Sequence, residues 1–291
     1  MTVVICLNFG DKIYLASDSL ITRIENEKLK PVGYCFKLYE IQNYNVVLGF
    51  AGSVYSARDA LEKIHDYASS NNLNEETLFE KIPEVLVDTC KQWDTDTKYD
   101  LDIMYAGIVP NSQAYAHEKY PGLGVPPKSI CGYFSVEGNP RKVTYKRGNA
   151  ILVPSNPKFM MVSADPRQPL MDSFVIGSGA RRIPFPQQFQ DMMYRDEELA
   201  KNMFSLLLQT FFDELPIEVT GIGGAYQIIT IKEQGIEMGI VDPRNHPHGI
   251  KVEDKYDAIW ITNTQTGEKE IIKSIWDERL PFDFDEFECF L

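Results

Sequence analysis

The chain has 291 residues, of which 42 are Asp or Glu and 29 are Lys or Arg, for a net charge of −13. No long basic run interrupts this acidic balance. Phosphate binding needs clustered Lys and Arg, so nucleic acid is excluded as the expected partner. Hydrophobic residues make up 44% and charged residues 24% of the sequence, which is ordinary for a globular protein with a sizeable core.

Cysteine usage and hydropathy favour a cytoplasmic protein. The five cysteines, at positions 6, 35, 90, 131 and 289, are widely spaced, and none belongs to a CxxC pair. That pattern fits neither a disulfide framework nor a zinc site. The sequence shows no signal peptide and no apolar stretch of about 18 residues. We therefore expect a cytoplasmic protein without a membrane partner, a metal or any other cofactor.

The first 51 residues predict two pairs of strands. β-Branched and apolar residues indicate strands at 2–9, 13–17, 34–41 and 45–51. Gly10–Lys12 predicts a hairpin turn between the first two strands. Because no crossover helix separates these strands, we expect antiparallel sheet.

Two helices are predicted after the fourth strand. Ser53 and Asn74 are typical N-cap residues. Apolar residues at helical spacing follow each of them, up to Ala68 in the first helix and over roughly 75–92 in the second. Pro83 should kink the second helix or delay its start.

The remaining sequence predicts more strands and one long helix. The strand patterns lie at 102–109, near 130–136, 141–146 and 159–163, and at 173–177; the helix lies at 196–213, and hairpins lie at 225–241 and 257–273. Helices segregated from antiparallel strands indicate an α+β fold, expected here as a four-layer αββα sandwich with two antiparallel sheets. We expect one domain at 1–241 with an insertion at about 110–170. The extension at 242–291 should pack on the core or on a neighbouring subunit.

Thr2 is a candidate nucleophile. A small residue in this position usually permits removal of Met1, which would leave a threonine with a free α-amine. That residue is a self-contained catalytic pair, because its own amine can serve as the base for its hydroxyl. An α-amine titrates near about 7.7–8.0, so a fraction of it is neutral at cytoplasmic pH. Many proteins begin Met-Thr, so the surrounding residues carry the argument.

Four segments in order resemble one known family. They are TVVICLNFGDKIYLASDSLIT from Thr2, FKLYEI from Phe36, VVLGFAGSVYSARDALEKI from Val46, and FVIGSGA from Phe174. Together they resemble proteasome β-subunits and the bacterial peptidase HslV, which are N-terminal-nucleophile hydrolases. The likeness covers about 2–69 well and 173–241 loosely.

The resemblance implies a role for three charged or nucleophilic residues. Thr2 would be the nucleophile, and Lys37 would lie beside its hydroxyl. A buried cation there stabilises an alkoxide and lowers the pKa of the amine. Asp18 would pair with Lys37 and keep it charged. Without the resemblance, Lys37 reads as a solvent-facing strand residue and Asp18 as the end of a strand.

The resemblance also implies supporting groups around the nucleophile. The backbone N–H of Gly52 would bind the developing oxyanion, and Ser178 would lie near the α-amine. The family has an Asp followed three residues later by Ser-Gly. Here Thr220 replaces that serine and Ile217 stands in the Asp position, with Glu218 one residue away as the alternative carboxylate. In isolation, Gly52 reads as a helix-start glycine and Ser178 as a turn serine.

The expected function is cleavage of peptide or amide bonds through an acyl-enzyme at Thr2. The resemblance implies a homo-oligomer, in a ring or a related assembly, and an ATP-dependent unfoldase as a further partner for folded substrates. Two alternatives stay open. One is a catalytically inactive assembly or scaffold subunit, which retention of Met1 would favour. The other is a small-amide hydrolase of the same superfamily, which a narrow pocket would favour.

Overall fold

The computed structural model describes residues 2–8, 12–25, 28–93, 101–109, 129–137, 142–147, 150–152, 172–177, 221–241, 250–255 and 258–277. The elements in chain order are β1 (Val4–Asn8), β2 (Lys12–Asp18), β3 (Leu20–Glu25), β4 (Lys28–Tyr34), β5 (Leu38–Glu40), β6 (Val46–Gly52), α1 (Val54–Asn71), α2 (Glu75–Gln92), β7 (Leu101–Ile108), β8 (Ser129–Glu137), β9 (Lys142–Arg147), β10 (Ala150–Leu152), β11 (Asp172–Ile176), β12 (Tyr226–Lys232), β13 (Gly235–Val241), β14 (Ile250–Lys255), β15 (Ala258–Asn263) and β16 (Lys269–Ile271). Within these ranges, neither helix is long and apolar enough to cross a membrane.

Two larger antiparallel sheets form the body of the described structure. The five-stranded sheet has the order β11-β1-β2-β12-β13, and the six-stranded sheet has the order β10-β9-β8-β7-β6-β5. β1 and β2 form the hairpin that the sequence predicts, with Val4 opposite Ser17. β12 then pairs with the other edge of β2 and places Tyr226 opposite Asp18. The N-terminal strand therefore lies inside its sheet, between β11 and β2.

Alternation along β6 explains how the sheets and helices pack. Successive strand residues point to opposite faces. Val46, Leu48 and Phe50 are buried in one cluster with the apolar faces of α1 and α2, whereas Val47 and Ala51 are buried in a second cluster with residues of β1 and β2. The six-stranded sheet is therefore covered by the two helices on one face and by the five-stranded sheet on the other.

The two described helices begin where the sequence predicts. The side chain of Ser53 accepts a hydrogen bond from the Ser56 backbone N–H at 3.3 Å, and Asn74 accepts one from Thr77 at 2.8 Å. These caps satisfy N–H groups that the first helical turn leaves without intrahelical partners. α2 runs through Pro83, which loses one intrahelical donor there.

The expected four-layer αββα sandwich is wrong. The described chain is mostly β, with sixteen strands against two helices, and both helices pack in the cluster on one face of the six-stranded sheet. Further strands form two small antiparallel sheets, β3-β4 and β14-β15-β16. Antiparallel neighbours need only a short turn, so residues 20–34 and 250–255 pair locally, although the sequence analysis assigned no hairpin to either.

Other sequence predictions fall wholly or partly outside the described residues. The strand at 159–163 and the helix at 196–213 lie outside them. Of the insertion at about 110–170, the described strands β8 and β9 extend the six-stranded sheet beside β7. The division of the chain at 241/242 stays a prediction.

Candidate active site

A buried ion pair between Lys37 and Asp18 forms one side of the candidate site. The Nζ atom of Lys37 lies 2.8 Å from Oδ1 of Asp18, and the two side chains are 1% and 0% exposed. The same Nζ donates to the backbone carbonyl of Leu20 at 2.7 Å. Charges this deeply buried are stable only when they are paired and hydrogen-bonded. The structure thus brings together the two charged residues that the sequence selected.

Asp18 connects this ion pair to the backbone beside Thr2. Its Oδ1 also accepts a hydrogen bond from the Val3 backbone N–H at 3.1 Å, and its Oδ2 accepts one from Gly223 at 3.3 Å. One carboxylate oxygen therefore bridges the lysine ammonium and the N–H of the residue that follows Thr2. Thr2 itself is 5% exposed. The peptide group between Thr2 and Val3 is thus hydrogen-bonded to the same carboxylate that binds the Lys37 ammonium.

The surroundings of Lys37 set its proton affinity. Burial lowers the pKa of Lys37, while the charge and hydrogen bond of Asp18 oppose that shift. An ammonium has three N–H donors, and Asp18 and Leu20 occupy two of them. Among the described residues, the third donor has no hydrogen-bond partner. A cation with a free N–H donor favours the ionised form of a hydroxyl that comes within its reach.

Gln227 fixes the backbone that carries Lys37, and the sequence analysis missed it. Its Oε1 accepts hydrogen bonds from the backbone N–H of Lys37 at 3.1 Å and of Leu38 at 2.9 Å. Its Nε2 donates to the carbonyl of Leu38 at 2.8 Å. Gln227 lies on β12 opposite Ser17 of β2, so one side chain ties the two sheets together beside the ion pair. This contact joins residues about 190 positions apart in the chain, so it becomes visible only in the folded structure.

Gly177 lies against Thr2 and forms a second side of the site. Its φ is +94°, and a Cβ added there would lie 2.1 Å from the carbonyl oxygen of Thr2 and 2.9 Å from Cβ of Ala51. A side chain is therefore excluded both by space and by backbone conformation. The close approach brings together the ends of β1, β6 and β11. The resemblance to a known family includes this glycine-containing segment, but it implies a role for Ser178 rather than for Gly177.

Asp102 holds Gly177 in that position. One carboxylate oxygen of Asp102 accepts from the Gly177 backbone N–H at 3.0 Å, and the other accepts from the Ser135 hydroxyl. Asp102 stands on β7 opposite Ala51, and Ser135 stands on β8 opposite Asp102. The sequence predicts strands at all three residues. It does not predict that these residues form hydrogen bonds with one another.

Of the remaining predicted site residues, the structure describes Gly52. Gly52 is the last residue of β6 and has φ +102°, a conformation that favours glycine. It directly follows Ala51, so its backbone lies on the Gly177 side of the site. Ser178 and Thr220 lie outside the described residues. Within the described ranges, no three His, Cys, Asp or Glu side chains are grouped so that they could hold a metal ion.

Comparison with known proteins identifies the fold. No family model matches the chain, and no curated protein matches it. Among solved structures, the chain resembles Anbu (ancestral beta-subunit) from Yersinia bercovieri with a TM-score of 0.50 and 9% identity, covering 84% of this chain and 88% of that one. A second Anbu structure, a helical assembly of the Anbu complex from Pseudomonas aeruginosa, gives a TM-score of 0.49 and 10% identity over 82% and 86% of the two chains.

The family named in the sequence analysis is therefore corrected. The structural neighbours are Anbu proteins, a distinct family related to N-terminal-nucleophile hydrolases, and neither a family model nor a curated protein supports membership of the proteasome β-subunits or HslV. At 9% identity, the likeness shows the fold alone. The sequence segments were short and rich in residues that any strand–turn–strand unit requires, so they did not identify one family.

Proposed function

We propose that the chain is a threonine-type N-terminal-nucleophile hydrolase that cleaves amide bonds through an acyl-enzyme at Thr2 after removal of Met1. The observation that carries the proposal is the buried Lys37–Asp18 pair, whose shared oxygen Oδ1 also binds the N–H directly after Thr2. A protein gains little stability from burying such a pair, because desolvation offsets most of the attraction. A cation retained at this cost beside a candidate nucleophile has a chemical use.

The first half of the reaction forms an ester. The neutral α-amine of Thr2 takes the hydroxyl proton as Oγ1 attacks the amide carbonyl of the substrate. The Oγ1–C bond forms, and negative charge develops on the carbonyl oxygen. Collapse of this intermediate breaks the C–N bond, and the α-ammonium gives its proton to the leaving nitrogen. The products of this half are the free amine and an acyl-threonine ester.

The second half of the reaction releases the acid. A water molecule attacks the ester carbonyl while the neutral α-amine takes one of its protons. The C–Oγ1 bond then breaks, and the proton passes to Oγ1, which restores the threonine hydroxyl. The same amine serves as base and as acid in each half, so the cycle consumes one water and no cofactor.

Two fixed groups, an ammonium and a backbone N–H, lower the barriers to forming and to hydrolysing the ester. The Lys37 ammonium, with its third donor, favours the alkoxide form of the hydroxyl, and it also favours the neutral form of the α-amine. The backbone N–H of Gly52 is our candidate for the group that binds the oxyanion. One such preorganised donor contributes about 3–4 kcal/mol to stabilising the transition state.

The proposed substrates are peptides or other amides. The same chemistry at Thr2 would cleave either class, and a narrow pocket around Thr2 would favour small amides over peptides. Homo-oligomeric assembly and the cytoplasmic location stay predictions.

The test is hydrolysis of fluorogenic peptide amides by the wild type and by two Thr2 variants, with the mass of each protein measured to establish removal of Met1. Thr2→Ser retains a hydroxyl and should retain a measurable rate, whereas Thr2→Ala should abolish hydrolysis while leaving the far-UV circular dichroism unchanged. Undiminished hydrolysis by Thr2→Ala would refute the mechanism.

A further inference from the structure

The C-terminal segment (residues 258–277) pairs with the stretch of chain that leads into Lys37. The backbone N–H of Lys273 donates to the carbonyl of Tyr34 at 3.0 Å, and the N–H of Phe36 donates to the carbonyl of Lys273 at 3.0 Å. These bonds enclose a parallel bridge between Cys35 and Lys273. The C-terminal segment therefore acts as a strand partner for the residues immediately before the catalytic lysine candidate.

Tyr39 adds a second connection from the same segment. Its hydroxyl donates to the carbonyl of Phe36 at 2.6 Å and accepts from the backbone N–H of Ile275 at 2.8 Å. Burial raises the pKa of Tyr39 well above its ordinary value, so the hydroxyl keeps the proton that it donates. Both backbone groups of Phe36 are thus bound to the C-terminal segment, one directly and one through Tyr39.

The segment itself is anchored in the core. Ile275 is 0% exposed and belongs to the cluster between the helices and the six-stranded sheet. Trp276 packs its ring edge-on against Tyr39 at 6.1 Å and against His65 of α1 at 6.0 Å. A firmly packed segment therefore gives the hydroxyl of Tyr39 a fixed donor, the Ile275 backbone N–H.

The peptide after Phe36 carries Lys37, whose own backbone is held on other sides. The N–H of Lys37 donates to Gln227, and its carbonyl accepts from the N–H of Phe50 at 3.1 Å. A shift of the Phe36 carbonyl rotates the peptide unit that joins it to Lys37, because the peptide group is planar. That rotation moves the lysine side chain relative to Asp18 and Thr2.

We propose that Tyr39 is a positioning residue, which transmits the docking of the C-terminal segment to the Phe36–Lys37 peptide and so sets the place of the Lys37 ammonium beside Thr2. The catalytic part of this inference rests on the function proposed above. The structural part, that Tyr39 sets the environment of Lys37, does not.

The variant Tyr39→Phe tests the proposal, and Tyr44→Phe is its matched control. Tyr39→Phe removes only the hydroxyl and leaves the ring in contact with Trp276. Tyr44 also joins two backbone groups through its hydroxyl, donating to Ala68 at 3.1 Å and accepting from Leu73 at 3.1 Å, but it does so at the end of α1. Both variants lose a hydroxyl that joins two backbone groups, and Tyr39→Phe also loses a contact of 3.6 Å with the Cys35 thiol, so a signal from Lys37 itself is needed.

Two measurements are made on the full chain. The first is the ¹³Cε resonance of Lys37 in protein with labelled lysine, assigned by its loss in Lys37→Arg. The second is kcat and KM for the fluorogenic peptide amide. We expect Tyr39→Phe to shift the Lys37 resonance and to lower kcat about tenfold or more with KM within about twofold, because small displacements of a catalytic group are costly. Tyr44→Phe should do neither.

The outcomes separate this inference from the proposed function. A Lys37 resonance that is the same in Tyr39→Phe and Tyr44→Phe overturns the inference, whatever the activity. A shifted resonance with unchanged kcat overturns the catalytic positioning. If the wild type hydrolyses no amide but only Tyr39→Phe shifts the resonance, the proposed function fails while the structural part of the inference is supported.

Discussion

The Lys37 side of the candidate site, formed by Asp18, Lys37 and Gln227, is built from side chains, whereas the glycine side, formed by Ala51, Gly52 and Gly177, is built from backbone. On the Lys37 side, charged and amide groups with almost no exposure satisfy one another and nearby peptide groups. On the glycine side, the absence of a Cβ lets a turn touch the Thr2 carbonyl. In the proposed mechanism the Lys37 side supplies the positive charge, and the glycine side lets backbone approach Thr2 closely.

This difference predicts different consequences of substitution on the two sides. A change on the Lys37 side should leave a buried charge or polar group without its partner. A change on the glycine side should instead displace Thr2 by steric contact.

Lys37→Met should have the largest effect. It leaves Asp18 buried and without its counter-ion, which costs about 3–5 kcal/mol in the free energy of unfolding, measured by urea denaturation. Lys91→Met is the control, because Lys91 and Asp88 lie 2.8 Å apart with both side chains 70% exposed. That exposed pair should contribute less than about 1 kcal/mol. Equal losses in the two variants would show that the Lys37 side is not the dry, paired site described here.

Gly177→Ala should be the next most damaging change. The added Cβ meets the Thr2 carbonyl at 2.1 Å, and the backbone has φ +94°. Steric displacement and strain together should lower the free energy of unfolding by about 3 kcal/mol. Gly267→Ala separates the two causes, since Gly267 has φ +75° and no atom within 4 Å of the added Cβ.

The control should show only the strain, about 1–2 kcal/mol. Gly177→Ala should in addition lower the rate of hydrolysis, because the displaced group is the Thr2 carbonyl. If both variants lose the same free energy of unfolding, measured by heat and by urea, the contact between Gly177 and Thr2 contributes nothing to stability.

Cys35 gives the smallest and most pH-specific effect. Burial raises the pKa of the Cys35 thiol from 9.0 to about 11. Between these values the unfolded chain has released the thiol proton while the folded chain keeps it, so the free energy of unfolding falls as pH rises. The loss should be about 2–3 kcal/mol across the window.

The measurement is urea unfolding at pH 9 and pH 11 of the wild type and Cys35→Ala, in reducing buffer. Other titrating groups contribute to both proteins, so the difference between their pH slopes isolates the thiol. If Cys35→Ala and the wild type show the same dependence of the free energy of unfolding on pH, the Cys35 thiol is more hydrated than its burial indicates.

Sequence predicted the local parts of this structure well. Strand alternation and cap residues located β1, β2, β6 and both described helices, because those signals lie within a few neighbouring residues. Asp18 and Lys37 were selected by the resemblance of four segments to a known family and not by these local signals. Their pairing is observed, while their catalytic role stays a prediction.

The rest depends on contacts between distant parts of the chain. Gln227 reaches Lys37 across the sheets, and Asp102 reaches Gly177 through the registers of two strand pairs. Neither residue stands in a pattern that marks it locally. The predicted arrangement of layers was wrong because the added hairpins, and the placement of both described helices on one sheet, are properties of packing rather than of periodicity.

The most direct test of the central claim is the intact mass of the untagged protein before and after incubation with a peptide epoxyketone, an electrophile directed at N-terminal threonine, followed by peptide mapping. The account predicts a chain that lacks Met1 and gains one adduct on Thr2, with adduct formation lost in Thr2→Ala and strongly slowed in Lys37→Met. A chain that keeps Met1 and gains no adduct, or one whose adduct survives Thr2→Ala, would contradict it.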